Sequence, residues 1–385
     1  MLQCLVAAVR PLRVEELAEV LAFDFSSEGV PKLNAAWRWE DQEEAVRSAC
    51  SSLVVVIKDE DSRIVQFSHF SVKEYLTSDR LAESSREVAV SRYHIQLEPA
   101  HAILARSCLG VLLRLDDHTN RDNIKDFPLA RYAAQHWVDH ARFGNVSSLI
   151  KGEMECLFDA DRPHFAAWLW IYNNDRSGRS MRTMSPEKPE AVPLYYAAQF
   201  GFRELTARLL AEHPEDVRAK GGYNVTPLHV SAKNGHVAVS SLLAEYSPNL
   251  DIRGVMGQTP LHRTLYGGHL ETGRCLLDRG ADINFREVDG WTPLYIAALF
   301  GELEFARMLL ERGAAIHTPS HNGETPLHVA SRAGRVQIAR LLLEHGADPH
   351  MRDQAGQTPS EVASIYKKLD VVQLLSEYIT TPKQE

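Results

Sequence analysis

Five copies of one pattern decide the fold. TPLHVSAKNGHVAVSSLL opens at Thr226, TPLHRTLYGGHLETGRCLL at Thr259, TPLYIAALFGELEFARMLL at Thr292, TPLHVASRAGRVQIARLLL at Thr325 and TPSEVASIYKKLDVVQLLS at Thr358. The starts are evenly spaced, and a weaker VPLY copy, Val192–Tyr195, stands one period upstream, out of step by a single position. A fixed period of this length marks stacked units, each too small to bury its own apolar face. Thr before Pro is a helix start: the hydroxyl accepts a free amide and Pro tolerates the first turn. Leu228, Leu261, Leu294 and Leu327 then face the stacking core, and Gly235, Gly268, Gly301 and Gly334 end the first helix in a left-handed residue. Leu pairs such as Leu276–Leu277 and Leu342–Leu343 give the second helix its stripe, and Gly280 and Gly346 turn the chain toward a hairpin.

The T-P-L-H-x-A pattern at this period closely resembles the ankyrin repeat. The resemblance implies about six repeats over 191–385, with an irregular first connection through His213, Pro214, Glu215 and Asp216. In the last copy Ser360 and Glu361 replace Leu and His, and Lys367 and Lys368 replace Gly and His, as a polar terminal cap requires. His229, His262 and His328 invite a metal or catalytic reading; the family instead implies a helix-start His that hydrogen-bonds the neighbouring turn, and Tyr195 and Tyr295 in its place agree. No metal ligand, cofactor or catalytic residue is assigned in the array. In ankyrin arrays the partner lies on hairpin tips and exposed first-helix positions. That frame selects Tyr223, Lys233, Asn234, Met256, Gln258, Tyr266, Val288, Asp289, Trp291, Leu299, Phe300, His321, Glu324 and Arg332 for a protein partner. Tyr223, Tyr266, Trp291 and Phe300 fall where the frame predicts solvent, with packing between helices the alternative for Leu299 and Phe300; Trp291 is the sharpest test.

The 385 residues are 44% hydrophobic and 24% charged, with a net charge of −9. That composition suits two or three globular domains and excludes general disorder. The longest apolar run, Leu53–Ile57, is far too short to span a bilayer, and no cleavable leader opens the chain. Five scattered cysteines, never in CxxC spacing, fit reduced thiols and a cytoplasmic setting. The acidic balance argues against a nucleic-acid or membrane coat.

Residues 1–82 read as three helices (Leu2–Val9, Val14–Leu21, Glu43–Ser51), then strands Leu53–Ile57 and Arg63–Phe67 joined by a charged turn, Lys58–Ser62, and an amphipathic helix, Ser71–Leu81. That is the order of a winged helix. Its third helix begins Glu40, Asp41, Gln42, Glu43, Glu44 with Arg47 its lone basic residue, which is the wrong chemistry for phosphate contact. FSHFSVKEYL (Phe67–Leu76) resembles the end of the winged-helix domain of STAND NTPases. RPLRVEELAEVLAF (Arg10–Phe23), PLARYAAQHWVDHAR (Pro128–Arg142) and LFDADRPHFAAWLWIY (Leu157–Tyr172) are similar to fungal NACHT–ankyrin proteins, NLR-like in organisation. In that family the His of the motif reaches the diphosphate of bound ADP. The resemblance places that role on His69, with Ser71, Glu74 and Tyr75 completing the motif; the alternative is that His69 packs between the wing and the last helix.

Residues 83–175 read as a helical connector: Ala100–Leu115, Phe127–Phe143, Val146–Phe158 and Pro163–Tyr172, with Trp137, Phe143, Phe158, Phe165, Trp168 and Trp170 as its core. Composition then shifts over Asn173–Glu190, giving a linker at 176–190. None of the 22 glycines is followed by Lys, so the chain holds no phosphate-binding GxxxxGK[ST] loop. The family's NTPase core is then expected upstream of residue 1. The fold expected is mainly α: a winged helix, a helical connector and an ankyrin solenoid. The function expected is non-catalytic, a signal-sensing fragment whose array binds a partner while the winged helix relays state. The alternative is a stand-alone ankyrin adaptor with no nucleotide-dependent switching.

Overall fold

The computed structural model describes residues 1–25, 29–34, 37, 41–50, 53–59, 62–78, 94–116, 118–176, 185–186, 189 and 191–380, with backbone alone at 45, 47, 49, 50, 59, 174–176 and 223. The chain divides into two compact units, Met1–Pro189 and Glu190–Glu385.

In the first unit, α1 (Leu2–Ala7) ends before Pro11, and β1 (Leu12–Arg13) leads into α2 (Val14–Leu21). A short antiparallel pair follows, β2 (Phe23–Asp24) with β3 (Lys32–Leu33), then α3 (Gln42–Cys50). The wing is β4 (Val54–Asp59) and β5 (Ser62–Phe67), and α4 (Phe70–Leu76) closes the domain. The sheet order is β1-β5-β4, all antiparallel, with Leu12 opposite Val65 and Val65 opposite Val56. The third strand, β1, and the β2–β3 pair are too short to leave a period-2 signal in the sequence. The charged turn expected over Lys58–Ser62 is shorter, because Lys58, Asp59 and Ser62 are already laddered. The last helix stops at Leu76, where Thr77 bonds back to Lys73 and Glu74 carbonyls; residues 79–81 lie outside the described residues.

The helices after residue 94 share a core with the winged-helix elements. They are α5 (Leu97–Leu112), α6 (Ala130–Ala141), α7 (Val146–Leu149), α8 (Lys151–Leu157) and α9 (Pro163–Arg176). Gly110 on α5 is required: a Cβ there would meet the Phe23 ring at 2.8 Å. Two buried carboxylates on α2 complete the joint. Glu16 takes both Arg10 guanidinium nitrogens (2.8 and 2.6 Å) and the Arg13 amide (2.8 Å), and Glu19 accepts the Leu129 amide at 2.7 Å. The expected helix over 146–158 is broken at Ile150, and α9 runs past the expected helix end at Tyr172 to Arg176, the first residue of the expected linker. Trp137 and Trp168 are fully buried edge to face (5.4 Å), and the Trp168 indole N–H donates to the Ala134 carbonyl. Phe143 is half-buried and stacks on His101 at 4.0 Å.

Among the described residues the second unit holds six helix pairs: α10/α11 (Pro193–Phe200, Arg203–Glu212), α12/α13 (Pro227–Lys233, Val237–Tyr246) and α14/α15 (Pro260–Gly267, Leu270–Asp278), then α16/α17 (Pro293–Phe300, Leu303–Glu311), α18/α19 (Pro326–Ala333, Val336–Glu344) and α20/α21 (Pro359–Ile365, Leu369–Thr380). Leu228, Leu261, Leu294 and Leu327 are 0–1% exposed, and helix stacking removes them from water as the repeat pattern requires. Gly301 ends α16 at φ +90°, a left-handed residue that costs an L side chain about 1 kcal/mol or more. The irregular first connection is a 3-10 turn, Pro214–Arg218.

Four first-helix starts of the array, at Thr226, Thr259, Thr325 and Thr358, are reciprocal caps. At Thr226, Thr259 and Thr325 the backbone N–H donates to the Nδ1 of the His three residues on (3.2–3.3 Å), so Nε2 carries the ring proton. That Nε2–H donates to a carbonyl of the next hairpin 29 residues away: His229 to Gln258 (3.1 Å), His262 to Trp291 (3.3 Å) and His328 to Gln357 (3.0 Å). These histidines are 0–1% exposed and act as struts between repeats. In the last described repeat Glu361 takes the His position and keeps the cap alone, accepting the Thr358 amide at 2.7 Å.

Candidate functional site: the first-helix face of the ankyrin array

The site is built on the first helices α14, α16 and α18 and on the hairpin tips before them. Tips are tied by main-chain bonds: Val288 N–H to Met256 O (2.9 Å), His321 N–H to Asp289 O (3.0 Å) and Gln354 N–H to Asn322 O (3.1 Å). These bonds fix the side chains displayed at each tip relative to the next. Met256 and Val288 are both 52% exposed, and Asp289 and His321 are exposed beside them.

Along the helices, aromatic rings and carboxylates interleave. Tyr266 meets Phe300 edge to face at 5.5 Å, and its hydroxyl faces the Glu287 carboxylate at 3.4 and 3.5 Å. Glu287 is 4% exposed; burial pushes its carboxyl above the usual range, a side-chain bond from Gln258 pulls it down, and Asp289 raises it. Tyr295 stands where other repeats carry His and keeps the same 29-residue reach, donating from its hydroxyl to Glu324 Oε2 at 2.8 Å. Arg332 closes this cluster on Glu324 at 3.3 Å. Burial, then the facing carboxylate, pushes both phenols above their ordinary value.

Lys233, Asn234, Met256, Val288, Asp289, Phe300 and His321 are exposed, as the frame expects. Tyr266, Leu299, Glu324 and Arg332 are half-buried, and the Tyr223 side chain lies outside the described residues. Gln258, expected on the surface, is 8% exposed, because its carbonyl takes the His229 strut and its side chain holds Arg263 Nη1 at 3.0 Å. Trp291, expected in solvent, is half-buried and stacks on Tyr295 at 5.2 Å. Trp291→Ala therefore should lower array stability by about 2 kcal/mol, read as a fall in urea midpoint; an unchanged midpoint would return Trp291 to the surface. Arg263, Glu287 and Tyr295 belong to the cluster, although the sequence frame does not select them. The legible signal is the Tyr-for-His exchange followed by Glu 29 residues later.

In the first unit, His69 is exposed and caps α4: its Nδ1 lies 2.7 Å from Ser71 Oγ and accepts the Ser71 amide at 3.3 Å. It does not pack between wing and helix. Phe70 (71% exposed) and Tyr75 (55%) flank it, with Ser71 and Glu74 also exposed. No group of three or more metal-ligating side chains gathers among the described residues, and no described helix is long and apolar enough to cross a membrane.

Fold and site together define a mainly helical chain made of a winged-helix domain followed by ankyrin repeats. A model of ankyrin repeats matches residues 238–320 and 315–384, and a model described as "GPI inositol-deacylase, winged helix domain" matches residues 1–91. The chain is also similar to "Azaphilone pigments biosynthesis cluster protein L" of Monascus ruber, 29% identical over 248 residues, covering 60% of this chain and 50% of that protein. The chain thus spans about half the length of this curated relative.

Proposed function

We propose that the chain is a non-catalytic recognition and relay part of a NACHT-type STAND protein, acting in the cytoplasm. Its array binds a protein partner, and its winged helix passes the bound state to an NTPase core carried outside this sequence. One observation supports the array's role most: Met256 and Val288, large and apolar, each stand 52% exposed on neighbouring hairpin tips that a main-chain bond ties together, and Phe300 is 45% exposed at the end of α16. Grouped exposed apolar side chains on a rigid frame mark interaction surfaces. The relay reading rests on the resemblance of FSHFSVKEYL and on exposed His69, Phe70 and Tyr75, a face open to another domain. Phe300→Ala should weaken capture of the array's partner by about 2 kcal/mol, roughly thirtyfold, with only the small fall in urea midpoint that loss of the Tyr266 edge contact brings. Titration of immobilised array with the recovered partner measures this. Full-strength binding by Phe300→Ala and by Met256→Ala would move the interface elsewhere.

A further inference from the structure

A second site lies in the first unit. Two adjoining cavities of about 420 and 400 Å³ share Arg13, Glu16, Ser62, Pro128 and Arg131 among their walls, and so form one trough. One end carries Arg10; the other carries Arg121 and Lys125. Among the described residues, five cationic side chains therefore line the trough against two carboxylates, Glu15 and Glu16, in a chain whose net charge is −9.

The carboxylates are already engaged. Glu16 is 2% exposed and saturated by Arg10 and the Arg13 amide, while Glu15 leans on Arg63 at 3.5 Å. Among the described residues the guanidiniums of Arg13 and Arg131 and the Lys125 ammonium make no ion pair, and all three are exposed at the rim. Their spacing is fixed by structure on both walls. Arg13 is laddered against Ile64 on β5, and Arg131 stands in the first turn of α6, where the helix dipole adds positive potential. The Glu19–Leu129 bond pins one wall to the other. Like charges held together across a cleft raise the local potential and concentrate anions. Guanidinium forks match phosphate oxygens two at a time.

We infer that this trough binds a small oligophosphate, a ligand with two or more linked phosphoryl groups. Arg13 and Arg131 would grip it centrally, with Lys125 and Arg121 at one end. The spread of cationic side chains over two adjoining cavities favours a chain of phosphates over a single one. The site is separate from the array face and from His69.

Calorimetric titration of the full chain at low salt tests this with pyrophosphate, orthophosphate and ADP. Pyrophosphate should bind saturably at one site and at least about tenfold more tightly than orthophosphate, and weaken steeply with added salt. Arg131→Gln and Lys125→Gln, both exposed, should keep the melting temperature and each lower pyrophosphate affinity about tenfold. The ADP arm separates two sources of the same chemistry: affinity equal to pyrophosphate assigns a free oligophosphate, and tighter binding assigns a nucleoside diphosphate. No saturable binding of pyrophosphate or ADP, or binding that both variants leave intact, would overturn the assignment.

Discussion

Acidification from pH 7 to pH 5 should strip the array of about 4 kcal/mol through two side chains. Burial holds His229 and His262 at about 4, against 6.5 when free, with the bonds to hairpin carbonyls only partly offsetting it. Between those values the unfolded chain binds protons that the folded chain refuses. Stability is thus complete above about pH 6.5 and is lost as pH falls toward 4, at up to about 1.4 kcal/mol per pH unit for each ring, or about 2 kcal/mol each at pH 5. The strut geometry adds to burial: Nδ1 already accepts the Thr amide, so a second ring proton would compete with that bond. His328 is shifted the same way, mainly by burial, and adds to the loss. Glu287, whose carboxyl burial raises, works in the opposite sense and offsets a part. Urea unfolding followed at pH 7 and pH 5 reads the effect, and His262→Gln should flatten the pH dependence by one histidine's share. Equal midpoints at the two pH values would contradict the strut geometry.

Glu16→Ala should be strongly damaging to the first unit, costing about 3 kcal/mol. It leaves the Arg10 guanidinium facing the Tyr132 ring at 4.9 Å with no carboxylate, and it strands the Arg13 amide. Glu16→Gln keeps an acceptor for that amide and should recover part of the loss. Differential scanning calorimetry of the full chain separates the variants. A first-unit transition unmoved in Glu16→Ala would show that Arg10 finds water at no cost.

The array is legible because its period is a packing requirement: each Thr, Pro, Leu and Gly answers one geometric demand and returns at one fixed interval. The His role is legible for the same reason, and Glu361 in the last copy shows the rule by keeping the cap without a strut. The winged-helix order can be read from Leu12 to Leu76, but β1 cannot, since two residues carry no alternation and pair only because β5 lies beside them. Sequence places Trp291 and Gln258 in solvent because position along the hairpin does not reveal what the next ring or strut will cover; stacking on Tyr295 and the His229 bond decide it. The basic trough leaves no trace in the sequence. Arg13 and Arg131 belong to distant segments of the chain, and only the fold brings them to one opening.

The tip-to-tip bonds from Met256 to Val288, Asp289 to His321 and Asn322 to Gln354 make the array mechanically lopsided. On the tip edge, neighbouring repeats are stitched by main-chain hydrogen bonds, which fail abruptly when stretched. On the opposite edge the second helices are joined through side chains, among them Arg279–Glu245 (2.9 Å), Arg312–Asp278 (2.6 Å) and the Tyr378 hydroxyl donating to the Leu343 carbonyl (2.7 Å), contacts that can re-form as the helices shift. Flexing that spreads the tips is therefore stiff, and flexing that fans out the second helices is compliant. A partner gripping Met256 and Val288 would load the stiff edge, so its pull would travel along the array with little loss to bending.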